Sequence, residues 1–204
     1  MAIGMLLHDL HAGEGARARP HALVVFLFSV ATGLDQVLTF ARQWQPTVPQ
    51  AALIGIELNH VTRQPDIAAL RRAIATAAAL RSVQSSQTIL LGAGTAGRLA
   101  LDMVLEGVVP AMGMIGLDIS LGAIPSHIER TAAMVRLIQH RAGEYAPADF
   151  RALVEAMQRQ DIDVRTMVLP EIAEAASAMT QRAGATFLVE LVASASRFPL
   201  ATRR

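Results

Sequence analysis

The chain contains no cysteine. Disulfides, a thiolate nucleophile and cysteine-ligated zinc or iron–sulfur centres are therefore excluded. Lysine is also absent, all eighteen basic residues being arginine, which removes Schiff-base chemistry, Ser-Lys dyads and the phosphate-binding lysine of a Walker loop. Excess charge is lacking too: a formal net charge of +1 gives no field to steer nucleic acid, and the terminal Arg203-Arg204 pair reads as a solvated tail. The six histidines are scattered, with none paired at i,i+4 on a helix beside a third ligand, so no metal site is expected. His8 and His11 share helical spacing but sit near a terminus, and Met103, Met112, Met114 and Met134 read as core filler. Long apolar runs are missing. Ala22 to Leu34, the most apolar stretch, is interrupted by Ser29, Thr32 and Gly33, short of the ~20 apolar residues a membrane-spanning helix requires. Met1 to Leu10 has no basic n-region, and His8 and Asp9 break its apolar run, so the expected location is cytoplasmic.

What is present is apolar residues in short blocks. At 204 residues and 52% hydrophobic content, the expectation is a single domain over 1–204, with 1–20 as a variable lead. His21 to Phe28 reads as a fully buried strand, followed by a helix in which Leu34, Val37, Leu38, Ala41 and Trp44 recur at helical spacing before Pro46 and Pro49. Ala51 to Ile56 is a second strand. Pro65-Asp66 opens a long alanine-rich helix to about Val83, with Arg71, Arg72 and Arg81 on its wet face. Thr88 to Leu91 and Val108 to Ile119 are the next strands, separated by a helix from Thr95 to Glu106. Strands at Met134 to Gln139 and Val164 to Leu169 follow, with helices at Asp149 to Arg159 and about Ala173 to Ala195. Continuous apolar strands alternating with helices predict an α/β, three-layer α/β/α fold around a mostly parallel central sheet of about six strands.

The segment Gly92-Ala93-Gly94-Thr95-Ala96-Gly97 joins a strand directly to a helix. It satisfies the G-x-G-x-x-G dinucleotide fingerprint, and Asp118 lies where an acid would bind ribose hydroxyls at the end of the next strand. Two strand–helix units precede it, however, where the fingerprint belongs to the first. The same strand–turn–helix is also the setting of a G-x-S-x-G nucleophile elbow, with Gly94 in the position of the nucleophile. Small residues would be selected at such a turn whether or not anything binds there.

The order of these pieces resembles the small carboxylesterase/acyl-protein thioesterase (phospholipase/carboxylesterase) family of α/β hydrolases, from about His21 to Phe198. The family's Leu-His-Gly-x-Gly strand end is represented by Leu27-Phe28-Ser29 and then Gly33-Leu34-Asp35. Its elbow, Gly-Phe-Ser-Gln-Gly-Gly-x-x-Ala-Leu, aligns with Gly92 to Leu101. Its Ser-Gly-x-Leu-Pro corresponds to Ser120-Leu121-Gly122-Ala123-Ile124-Pro125, and its acid-bearing segment to His140 to Phe150, with Glu144 in the acid's place.

Measured against that resemblance, the triad is dismantled. The nucleophile position is Gly94, no histidine follows His140, and the segment expected to hold the base, Pro170 to Glu174, has none. Among substitutes, Thr95 lies one residue past the apex and reads as a helix cap. Ser29 and Ser120 read as turn residues at strand ends. His60 reads as a solvated loop residue, and His140 has no natural geometry as a base from the acid's own strand. The expectation is a non-catalytic protein with a degenerate triad, without cofactor, nucleic acid or membrane partner. Its cleft, lined by Phe28, Ser29, Gly92, Gly94, Thr95 and Ser120, would take a small anionic or carbonyl ligand. Three alternatives stand beside it: an esterase whose nucleophile has moved to Thr95 or Ser120, a dinucleotide binder using Gly92, Gly94, Gly97 and Asp118, and a homodimer joined through apolar surface.

Overall fold

The computed structural model describes residues 6–10, 19–29, 33–58, 66–121, 128, 131–141, 148–170 and 175–196. Its centre is a seven-stranded sheet built from β1 (Leu6–Asp9), β2 (Ala22–Ser29), β3 (Ala51–Leu58), β4 (Thr88–Ala93), β5 (Gly113–Leu117), β6 (Met134–Arg141) and β7 (Val164–Pro170). The spatial order is β1-β3-β2-β4-β5-β6-β7. Every pairing is parallel except that of β1 with β3.

Among the described residues, five helices cover the sheet: α1 (Leu34–Trp44), α2 (Ile67–Leu80), α3 (Gly94–Leu105), α4 (Ala148–Arg159) and α5 (Ala175–Ser196). Side chains along a strand alternate between faces, and β2 shows how both faces become dry. Leu23, Val25 and Leu27 join a core with Leu70 and Ile74 of α2, Leu101 and Val104 of α3, and Phe150 and Leu153 of α4. Val24, Phe26 and Phe28 join the opposite core with Val37, Ala41 and Trp44 of α1 and Phe187, Leu188, Leu191 and Val192 of α5. All eight residues of β2 are buried, as a continuous apolar run between two helical layers must be. The helix starts also follow from sequence. The Asp66 carboxylate accepts the Ala69 N–H at 2.8 Å, capping α2.

Two boundaries differ from expectation. The lead segment contributes β1, an antiparallel edge strand whose Leu7 stands opposite Ile56 and Asp9 opposite Ile54, so the sheet has seven strands and not about six. The strand expected over Val108 to Ile119 is only Gly113–Leu117. Its first half is taken by the end of α3: Gly107, at φ +65°, closes a double turn. Gly107 N–H donates to the Val104 carbonyl at 3.2 Å, and Val108 N–H donates to that of Met103 at 2.9 Å.

Helix α5 is tied to the sheet by charge as well as by apolar contact. Arg136 on β6 is fully buried. Its guanidinium donates to the Glu190 carboxylate at 2.8 Å and to that of Asp163 at 3.0 Å, and also to the Val135 and Asp163 carbonyls. Burial alone would lower the Arg136 pKa. The bonds from Glu190 and Asp163 outweigh it and hold the pKa above its ordinary value. A second tie lies nearer the start of α5, where Trp44 Nε1–H donates to the Gln181 carbonyl at 3.1 Å. The indole lies so close to Gly184 that a Cβ there would fall 2.6 Å from Trp44 Cζ2.

Candidate functional site

Ligands of parallel α/β sheets sit beyond the carboxyl ends of the strands. Here β4 passes straight into α3 at that edge. Gly94, the turning residue, has φ +54°, and a Cβ built on it would meet nothing within 4 Å among the described residues. The apex is therefore sharp, left-handed and open above. Its neighbours are the reverse. A Cβ on Gly97 would fall 2.5 Å from the Gly92 carbonyl oxygen, and one on Gly92 would fall 2.8 Å from the Ala96 carbonyl carbon. Gly92 and Gly97 are small because strand and helix backbones touch there, which accounts for two of the three fingerprint glycines without a phosphate. The loop after β5 braces the apex, Ser120 N–H donating to the Gly94 carbonyl at 3.0 Å.

The start of α3 has no side-chain cap. Its N-cap residue is Ala93, and its first turn contains no acid. Thr95 is exposed and makes no capping bond, which corrects the expectation that it caps the helix. The geometry shows why: the chain enters α3 with no residue between strand and helix, so the cap falls on Ala93 and Thr95 is already inside the first turn. The N–H groups of a first helical turn have no intrahelical partner, and partial positive charge there favours an anion.

The other expected cleft residues divide. Ser120 is half-buried beside the apex through its own backbone. Ser29 ends β2, is 8% exposed, and its carbonyl accepts from Gly33 N–H at 3.2 Å. Phe28 belongs to the core under α1 and α5, its ring centroid 5.9 Å from that of His8. His8, on β1, also lies 3.4 Å from the Glu57 carboxylate. Glu144, His60, His11, Gly122 and Pro125 lie outside the described residues, as do Glu171 to Glu174. Among the described residues no cluster of three or more metal-ligating side chains occurs.

His140 has side-chain contacts of its own, made to residues other than the elbow hydroxyls. It stands at the end of β6, beside Asp118 at the end of β5. The Asp118 carboxylate is spent on it entirely: Oδ1 accepts the His140 backbone N–H at 2.7 Å, and Oδ2 lies 2.6 Å from Nδ1. On the far side of the ring, Nε2 lies 2.8 Å from the Thr180 hydroxyl of α5. The alternation of β6 explains the direction, since His140 shares the face of Arg136 and Ile138, which α5 covers. Asp118 adopts φ +43°, a conformation uncommon outside glycine that aspartate tolerates better than most residues. The engaged carboxylate also counts against its use as a ribose-binding acid.

Sequence reasoning did not find Thr180 at all. The available signal was that Asp118 and His140 end adjacent parallel strands. A hydroxyl on the closing helix could have been sought from there.

A cavity of about 380 Å³ lies at the other end of the sheet, lined by Arg71 and Ile74 of α2, Ser85, and Val108 to Pro110. It is remote from both constellations.

The sequence matches no protein-family model and no curated protein. Solved structures do match in three dimensions. An α/β hydrolase enzyme from a Medee basin deep-sea metagenome library, MGS-M1, superposes with a TM-score of 0.71 at 12% identity, covering 94% of each chain. The esterase PE8 gives 0.64 at 16% identity, over 92% of this chain and 97% of its own. YahD, determined with malic acid, gives 0.64 at 13% identity, over 92% and 98%. With Gly94 at a left-handed apex between β4 and α3, this chain has the α/β-hydrolase fold.

Proposed function

We propose that this protein binds a small carboxylate or carbonyl compound in the cleft over Gly94 and does not cleave esters at that elbow. The carrying observation is the apex itself: a left-handed turn with open space above it and no side-chain atom to attack with. An acyl-transfer elbow requires an oxygen nucleophile in reach of an imidazole. Among the described residues, the neighbouring hydroxyls of Thr95 and Ser120 make no side-chain hydrogen bond to a histidine. What the turn offers instead is the uncapped start of α3, suited to an anion. YahD was determined with malic acid, which makes malate a reasonable first probe. A cytoplasmic location and a homodimer through apolar surface belong to the same proposal.

The test is amide NMR with malate, acetate and acetone as probes. Shifts concentrated at Gly94 to Gly97 are expected with at least one of them, and their absence with all three removes the cleft from consideration. In parallel, p-nitrophenyl acetate and butyrate turnover should be unchanged by Thr95→Ala and by Ser120→Ala. Loss of turnover in either variant would restore the elbow as a catalytic site.

A further inference from the structure

We propose that Asp118, His140 and Thr180 form a separate acyl-transfer site, with Thr180 as nucleophile toward simple esters. It stands apart from the elbow and from the ligand reading of that cleft. Three elements bring the groups together: the end of β5, the end of β6 and the sheet-facing side of α5. The arrangement is directional. Asp118 Oδ1 accepts the His140 backbone N–H and Oδ2 lies 2.6 Å from Nδ1, so a neutral imidazole that donates to the carboxylate carries its proton on Nδ1. In that tautomer Nε2 carries the lone pair and lies 2.8 Å from the Thr180 hydroxyl. A hydroxyl bonded to a base that is itself oriented by a carboxylate is the arrangement that activates an oxygen nucleophile.

A histidine that merely filled space would need one partner. This one is fixed at the backbone and at both ring nitrogens. Exposure grades along the chain of bonds, from 45% for the Asp118 side chain to 17% for that of His140 and 8% for Thr180.

The chemistry balances without a further reactant except water. Thr180 Oγ1 bonds to the acyl carbon, the bond from that carbon to the leaving oxygen breaks, and the threonine proton passes to Nε2. His140 returns this proton to the departing alkoxide, while Asp118, a positioning residue, offsets the imidazolium charge. Water then attacks the acyl-threonine, its proton passing through Nε2 to Oγ1 as the carboxylic acid leaves.

The experiment treats the full-length chain with a fluorophosphonate probe and locates the adduct by peptide mass spectrometry, alongside p-nitrophenyl acetate turnover. One adduct is expected, on Thr180. It should vanish in Thr180→Val, slow at least tenfold in His140→Gln, and form at least as fast at the same position in Thr180→Ser. Asp118→Asn should lower kcat more than it changes KM. No adduct, an adduct elsewhere, or turnover that survives Thr180→Val would overturn the proposal and leave the three groups as a fastening for α5. If the valine variant does not fold, the serine variant decides, because a purely structural bond would not speed labelling there. Malate-induced amide shifts at the elbow are expected to persist in Thr180→Val, so the two sites can fail independently.

Discussion

The elbow at Gly94 and the Asp118–His140–Thr180 set occupy the same edge of the sheet and are opposite in kind. At the elbow the backbone is specialised: a left-handed apex, two glycines pressed between strand and helix, and, among the described residues, nothing within 4 Å of a Cβ built on Gly94. At the second place the side chains are specialised instead. Backbone geometry at this turn is held by the close strand–helix contact at Gly92 and Gly97. Side-chain geometry needs only that two strand ends and a helix face come within reach. The fold supplies that at several places.

This contrast can be tested with stability measurements, taken from the largest expected effect to the smallest. Glu190→Ala leaves the fully buried Arg136 with one half-exposed partner and should lower unfolding free energy by about 3 kcal/mol in urea melts. Adding Arg136→Leu to that variant should recover part of the loss. Gly97→Ala drives a methyl onto a backbone oxygen that cannot move aside and should cost about 2 kcal/mol. Gly94→Ala meets only the strain of a left-handed L-residue, so about 1 kcal/mol is expected; a cost equal to that of Gly97→Ala would show that the apex is crowded after all. Thr95→Ala should stay within about 0.5 kcal/mol, as befits an exposed residue that caps nothing. A larger loss would reinstate it as a cap.

Much of the fold could be read from the chain because β2, β3 and β4 are uninterrupted apolar runs, and such runs are buried only between two helical layers. β1 could not be, since four residues with His8 and Asp9 among them have no pattern of their own and become a strand only against residues 54–57. The glycine turn was legible but ambiguous: a phosphate-binding loop and a close strand–helix contact ask for the same small residues. Only the distances a Cβ would meet separate them. The Asp118–His140–Thr180 set was hidden for a different reason. Its members lie 22 and 40 positions apart, and no local period links a strand end to the inner side of the last helix.

Helix α5 is pinned to β6 twice, through Thr180 on His140 and through Glu190 on Arg136. Ten helical residues rise about 15 Å, and four strand residues about 13 Å, so the two spacings match like the scales of a vernier. Inserting a single residue between Thr180 and Glu190 would turn one pin about 100° away from the other. A cluster of buried charge at one end of the helix thereby sets the aim of a hydroxyl at the other.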